Sequence, residues 1–271
     1  MAGGQPGALQ AEAGRWLRPQ VHGYAWPAKE GRAVPGGGRD DAGAADVVSP
    51  AGFDAAFAAA EHSQALRRIW REVYAADYPE EAAPFSSVTV TDLRAIAEAA
   101  GVRAGGILLD LACGAGGPGL WVAAKTGADL VGIDFSPVAI ARARARAERQ
   151  GLSGRARFEV ADAAETGLPD AGLDAAMSVD AFWLSPDKAR AAAEMARVLR
   201  PGGRFVFTTL DAESAPPGCP PQVGDHRPLL HDAGFSVVSY EETPDWKRRE
   251  LAVYDRILTS ADELAADRAP R

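Results

Sequence analysis

Sulfur and positive charge are both scarce in this 271-residue sequence. Cys113 and Cys219 are its two cysteines, too few for a disulfide framework and without metal-ligand spacing between them, a usage that fits a reducing compartment. Lys and Arg total 29 against 37 Asp and Glu, for a formal net charge of −8. Binding a phosphate backbone needs clustered cations that release counterions, so the balance argues against a nucleic-acid partner. No stretch reaches the roughly 18 apolar residues of a membrane-spanning helix. The N-terminus lacks the basic segment and continuous apolar run of a signal peptide. The expectation is a cytoplasmic protein with no membrane partner.

What the chain does contain is an ordinary globular balance of 47% apolar and 24% charged residues, unevenly arranged. Residues 1–50 are rich in Gly, Pro and Ala without a sustained period, and Gly36 to Gly38 would lose much backbone entropy on ordering. A flexible tail is expected there. Over 51–100 the spacing predicts two helices. Phe57, His62, Leu66, Ile69, Trp70 and Val73 mark the first, and Leu93, Ile96 and Ala100 the second. A loop from Tyr74 to Ser87 lies between them, broken by Pro79 and Pro84.

Residues 101–242 then alternate between strand and helix. Ile107–Leu111, Asp129–Ile133, Arg157–Val160, Asp174–Ser178 and Arg204–Thr209 read as strands, with helical segments between them. Such alternation implies an α/β fold with a mostly parallel sheet and right-handed crossovers, whose ligands sit beyond the carboxyl ends of the strands. Phe235 to Glu241 reads as a sixth strand, and residues 243–271 as helix, with Leu251, Tyr254, Ile257 and Leu258 on one face. No alternating run remains for a further strand. A shortened sheet is expected, its edge covered by the C-terminal helix, a homodimer mate or a partner subunit.

The loop after the first of these strands is Asp110-Leu-Ala-Cys-Gly114-Ala-Gly116-Gly-Pro-Gly119. Its glycine triple alone also fits a nicotinamide or flavin enzyme. Asp110 inside the strand end would meet a pyrophosphate unfavourably, however, and a cationic ligand well. Asp134 ends the second strand, where a carboxylate can accept both hydroxyls of a ribose, and Asp162 follows the third, with the Ala163 amide beside it. Three acids at successive strand ends suit an uncharged nucleoside better than a dinucleotide.

The run Leu-Leu-Asp110-Leu-Ala-Cys-Gly-Ala-Gly-Gly-Pro-Gly119 resembles motif I of the class I S-adenosylmethionine-dependent methyltransferases. Gly132-Ile-Asp134-Phe-Ser-Pro resembles their acidic second-strand motif, Val160-Ala-Asp162-Ala their adenine motif, and Arg197-Val-Leu-Arg-Pro-Gly-Gly203 the turn before their fifth strand. Ala112 departs from the commonest motif, which has glycine. The resemblance implies a Rossmann-like three-layer sandwich over 101–242, with the helices of 51–100 as a lid. It implies S-adenosylmethionine as cofactor, with Asp110, Ala112, Gly114 and Gly116 beside its amino-acid portion, Asp134 and Phe135 at the ribose, and Asp162 and Ala163 at the adenine. Ser178, Ser87 and Tyr78 would complete the cofactor site. A small-molecule acceptor would lie against Tyr74, Phe85, Phe182 and Trp183, with His226 and Asp180 as the candidate bases. The alternative is a catalytically silent or non-methylating subunit of a complex. Arg142, Arg144, Arg146 and Arg149, spread around one helix at 100° per residue, read as a solvated face.

Overall fold

The computed structural model describes residues 9–17, 54, 63–83, 86–215 and 219–267. Its strands are β1 (Leu9–Leu17), β2 (Ile107–Leu111), β3 (Asp129–Asp134), β4 (Ala156–Val160), β5 (Leu173–Ser178), β6 (Leu199–Asp211) and β7 (Phe235–Glu242). They form one sheet in the order β4-β3-β2-β5-β6-β1-β7, with every neighbouring pair parallel. The strand order reverses between β2 and β5, and a crevice opens at such a switch point beyond the carboxyl ends.

The helices are α1 (Gln64–Tyr74), α2 (Val90–Ala100), α3 (Gly117–Thr126), α4 (Pro137–Arg149), α5 (Lys188–Val198), α6 (Arg227–Asp232), α7 (Trp246–Thr259) and α8 (Ala261–Asp267). Local chemistry sets several of their starts. Thr89 and Asp92 form a reciprocal capping box on α2, and Gly101 ends that helix in the left-handed region. Ser136 caps α4 through the Ala139 amide, with Pro137 in the first turn.

Alternate side chains of each strand feed two cores. Leu108, Leu130, Met177 and Val206 pack toward α2, α3 and α4, with Ile96, Leu120 and Ile140. Leu109, Leu111, Val131, Ile133, Phe205 and Phe207 pack toward α5 and α6, with Met195 and Leu230. A third cluster joins Ala65, Ile69 and Tyr74 of α1 to Val253 of α7 and Leu264 of α8. Arg68 pairs with Glu263 at 2.7 Å, Arg256 pairs with Glu72, and the Ala65 amide donates to Asp267 at 3.1 Å. The C-terminal helices therefore join α1 in a single helical cap, whereas α2, expected to belong to the lid, packs on the sheet. Among the described residues no helix is long and apolar enough to cross a membrane.

Two expectations change. Most of the expected tail lies outside the described residues, but Leu9–Leu17 is a strand, inserted between β6 and β7. The sheet is consequently not shortened, and the strand missing from residues 243–271 is supplied from the other end of the chain. The physical reason is the edge. Without a later strand, β6 and β7 would each present unpaired amides and carbonyls, and a nine-residue segment satisfies both rows. The expected solvated arginine face changes in part: Arg144 and Arg149 are exposed, while Arg142 and Arg146 are half-buried. Arg144 donates to the Phe158 carbonyl, and Arg146 donates to the Ala82 carbonyl.

Candidate functional site: the carboxyl edge of the sheet

The loop leaving β2 rises through three left-handed residues, Ala112 (φ 55°), Gly114 (φ 52°) and Gly116 (φ 74°). Glycine adopts this conformation freely, whereas alanine adopts it at a cost. The amides of the loop are divided between the fold and the Asp134 carboxylate. Those of Cys113 and Gly116 are used within the fold, on the Ile133 and Cys113 carbonyls at 2.9 Å. Gly119 lets α3 approach Asp110, since a Cβ there would lie 2.4 Å from Asp110 Oδ2.

Asp134 ties this loop to the next one. Its Oδ2 accepts from the Gly114 amide at 2.8 Å and its Oδ1 from the Ser136 amide at 2.9 Å. Burial pushes the carboxyl above its ordinary range, and the amides pull it back. Each oxygen keeps a second lone pair, so two further donors can be accepted. Asp162 sits one strand over. The Ala161 amide donates to the Asp134 carbonyl at 3.1 Å, and Asp162 Oδ1 accepts from the Ala164 amide at 2.7 Å, with Ala163 half-buried beside it. Phe135 is half-buried at the head of α4. The three acids foreseen from the sequence thus stand at the carboxyl ends of three adjacent strands, β2, β3 and β4.

Asp110 Oδ2 and Ser178 Oγ are buried without a hydrogen bond on the strands of this edge, and Gln222 Oε1 and Arg249 Nε and Nη2 likewise lack one beside Trp183 and Tyr74. Asp110 and Ser178 belong to adjacent strands, since Asp110 pairs with Met177 in the register of β2 on β5. Orphaned buried polar atoms are rare and point to an absent partner. For Asp110 that partner should be a cation. Burial first, and the Asp134 charge beside it, raise its pKa to about 8, against the pull of the Gly119 amide. A ligand bearing ammonium and sulfonium charge fits this carboxylate, and a pyrophosphate does not. Cys113 is buried and its thiol is pushed well up, so it packs and does not react.

The acceptor-side residues divide. A 3-10 turn over Phe182–Leu184 sends Phe182 inward and leaves Trp183 half-buried. Phe182 is 2% exposed and packed against Phe205, Phe207 and His226, so it belongs to the core and not to a ligand wall. Trp183 lies with Leu210 and Trp246 on the other face. His226 is fully buried. Its Nδ1 lies 2.8 Å from Asp211 Oδ1 and its Nε2 3.3 Å from Thr209 Oγ1, while the Tyr240 hydroxyl donates to Asp211 at 2.7 Å. Sealed on the α5–α6 face with both ring nitrogens engaged, His226 is not placed to reach an acceptor.

Asp180 does sit at the edge, at φ 52°, with Oδ1 accepting from the Thr208 hydroxyl at 2.6 Å and Oδ2 from the Ser87 amide at 2.9 Å. The Tyr74 hydroxyl donates to the Ser87 carbonyl at 3.1 Å. Tyr78 is half-buried in the helical cap, its ring 6.0 Å from the Arg71 guanidinium. Phe85 lies outside the described residues. Sequence reasoning missed Thr208, Trp246 and Asp54, whose carboxylate accepts from the Ser136 hydroxyl. The Thr208-Thr209 pair at a strand end was a signal for the first. A cleft of about 710 Å³ at the opposite, amino edge is lined by Arg103, Asp174, Arg200 and Arg204. It has no orphaned atoms of this kind, and the orphans decide for the carboxyl edge.

Comparison with known proteins agrees with this geometry. A methyltransferase domain model matches residues 109–207. The methyltransferase GfsG of Streptomyces halstedii is 38% identical over 109 residues, which cover 40% of this chain and 39% of that protein. The 27-O-demethylrifamycin SV methyltransferase of Amycolatopsis mediterranei is 33% identical over 143 residues, covering 52% and 53%. Among solved structures, the (4+2)-cyclase SpnF superimposes with a TM-score of 0.57 at 28% identity, over 65% of this chain and 68% of that one. The chain spans about two-fifths to one half of these two methyltransferases. Residues 109–207 thus match a methyltransferase domain, and S-adenosylmethionine, the cofactor of such domains, is a cation-bearing nucleoside of the kind that the carboxyl edge accommodates.

Proposed function

We propose that the protein transfers a methyl group from S-adenosylmethionine to a small-molecule acceptor. The observation that carries this reading is the pair of buried, unsatisfied atoms on β2 and β5, Asp110 Oδ2 and Ser178 Oγ, beside a loop held by Asp134. When bound, the cofactor supplies an activated methyl on a sulfonium. Transfer is then an in-line displacement that depends mainly on alignment and proximity.

The chain's residues have correspondingly simple tasks. Asp110 would balance the positive charge of the amino-acid portion. Asp134 would accept the ribose hydroxyls while still ordering Gly114 and Ser136, and Asp162 with the Ala163 amide would receive the adenine. Ser178 offers a hydroxyl at the switch point. Trp183, half-buried over the buried Leu210 and Trp246, offers the acceptor side an aromatic surface, which suits a small organic molecule better than a phosphate polymer. The helical cap excludes water from the crevice. Asp54 of the N-terminal segment reaches Ser136, and the Ala82 carbonyl lies where a Cβ on Gly117 would stand, 1.9 Å away.

Calorimetry with S-adenosylmethionine, S-adenosylhomocysteine and NAD tests the donor side. The expected outcome is binding of the first two and none of the third, and NAD binding would refute the reading. Incubation with panels of phenolic, amine and carbon acceptors tests the transfer. Formation of S-adenosylhomocysteine supports the enzyme, whereas tight cofactor binding with no turnover on any panel supports a non-methylating subunit.

A further inference from the structure

We propose that Asp180 is a positioning residue that fastens the helical cap to the acceptor side of the sheet, and that it is not the base of the reaction. The inference rests on the methyl-transfer reading. Asp180 follows β5, at the edge where an acceptor would meet the methyl group, so a free carboxylate there would invite the role of base. It is not free. The Thr208 hydroxyl donates to Oδ1 at 2.6 Å and accepts from the Asp180 amide at 2.8 Å, which locks the side chain from two directions. The Ser87 amide donates to Oδ2 at 2.9 Å. The Asp180 carbonyl accepts from Trp183 Nε1 at 2.9 Å, so the acceptor wall hangs on the same residue.

Ser87 is itself held from both sides. Its amide is bound to Asp180 of the sheet, and its carbonyl to the hydroxyl of Tyr74, which is buried in the cap cluster. The peptide of Ser87 is therefore the joint between the two bodies, and Asp180 supplies the sheet's half of it. The N-terminal segment touches the donor side separately, with Asp54 accepting from the Ser136 hydroxyl and the Ala82 carbonyl from Arg146. Asp180 supplies the matching fastening across the crevice. A base must turn a lone pair toward the acceptor proton. Each Asp180 oxygen keeps one lone pair, but turning it onto an acceptor proton would pull against the Thr208 and Ser87 bonds and loosen the cap over the reacting atoms.

The test compares Asp180→Asn with Thr208→Val, using kinetics, cofactor titration and hydrogen exchange at Ser87. Asparagine tolerates the left-handed backbone of residue 180, so the first variant changes the carboxylate alone. The second keeps the carboxylate and removes its anchor, and it carries the test if the first does not fold. As a fastening, both variants should weaken cofactor binding about tenfold, the scale of one charge-assisted hydrogen bond. Both should also expose the Ser87 amide to exchange and lower kcat at saturation by no more than about tenfold, through lost alignment. A fall in kcat of about a hundredfold or more in Asp180→Asn, with cofactor affinity and Ser87 protection unchanged, would identify a base and overturn the proposal. Unchanged exchange and affinity in both variants would overturn it as well. If the wild-type chain bound no S-adenosylmethionine, the methyl-transfer reading would fall, while Ser87 exchange would still report the joint.

Discussion

The two halves of the carboxyl edge are built on different plans. The donor half is local. Asp110, Gly114 and Gly116 come from one loop, Asp134 and Ser136 from the next, and Asp134 bridges them through two backbone amides. The acceptor half is assembled from far-apart segments, with Tyr74 and Ser87 meeting Asp180 and Thr208, and Trp183 meeting Leu210 and Trp246. A donor common to many reactions can be served by a fixed set of backbone turns, whereas an acceptor surface drawn from a separate cap and loop ends can change without disturbing the sheet. The contrast predicts that substitutions in the two halves have separable effects.

The largest expected effect tests the border of the acceptor half. Phe182→Ala removes a fully buried ring from the Phe205–Phe207–His226 cluster and should cost about 3–4 kcal/mol of stability. Thermal unfolding should then move down by about 10 °C, with cofactor affinity of the folded fraction unchanged. Trp183→Leu, one residue on, should raise the acceptor KM with a much smaller loss of stability. If the two variants behaved alike, the inward and outward sides of that turn would be wrongly drawn.

Next in size is Asp134→Ala, which strips the acceptor from two loop amides and, in the proposed binding mode, from the ribose hydroxyls. S-adenosylmethionine affinity should fall about a hundredfold, or roughly 3 kcal/mol, as measured by calorimetry. Unchanged affinity would remove the nucleoside from this crevice.

Asp110 should make cofactor binding depend on pH. Its carboxyl titrates at about 8 in the free protein because burial disfavours its charge. A cation beside Oδ2 favours the charged form and lowers that pKa, so binding below pH 8 must expel a proton. Affinity should therefore rise by up to about tenfold per pH unit on the acid side and level off above about 8. Asp110→Asn should bind more weakly and flatten the profile. The same raised pKa means that the cofactor-free fold loses stability as pH climbs from the ordinary carboxylate range toward 8. A profile that stayed sloped in Asp110→Asn would assign the proton to another group.

These contrasts also explain what could be read from the residues alone. The donor half was legible because its chemistry fixes residue types within short runs: an acid at a strand end, glycines where the backbone turns left-handed, an acid again one strand on. The parallel sheet was legible from β2 to β6 for the same reason, since each apolar run is bounded by a helix of opposite period. β1 was not. Leu-Gln-Ala-Glu-Ala-Gly-Arg-Trp-Leu has no β-branched residue and a glycine just past its centre, and its partners β6 and β7 begin only at residues 199 and 235. Phe182 and Trp183 look interchangeable in a sequence, and only the turn that carries them tells core from wall. The joint at Ser87 depends on an amide, which no side-chain pattern records.

The smallest predicted effect concerns the one departure within the donor loop. Ala112 occupies a left-handed position, φ 55°, in a turn whose other two such positions are glycine. Its Cβ crowds the following carbonyl oxygen in that conformation, at a cost of about 1 kcal/mol relative to a residue without one. Glycine there would release the strain in the folded state and widen the unfolded ensemble, and the two effects oppose each other. Because the native φ is one that alanine resists, strain should win. Ala112→Gly should then raise stability by about 0.5–1 kcal/mol, a shift of about 2 °C, read by thermal unfolding of the cofactor-free protein. Cofactor affinity should change less than threefold, since Asp134 holds Gly114 and Ser136 whatever stands at 112. A larger change would mean that the loop is set by residue 112 and not by the carboxylate beneath it, and that the donor half is less rigid than its hydrogen bonds imply.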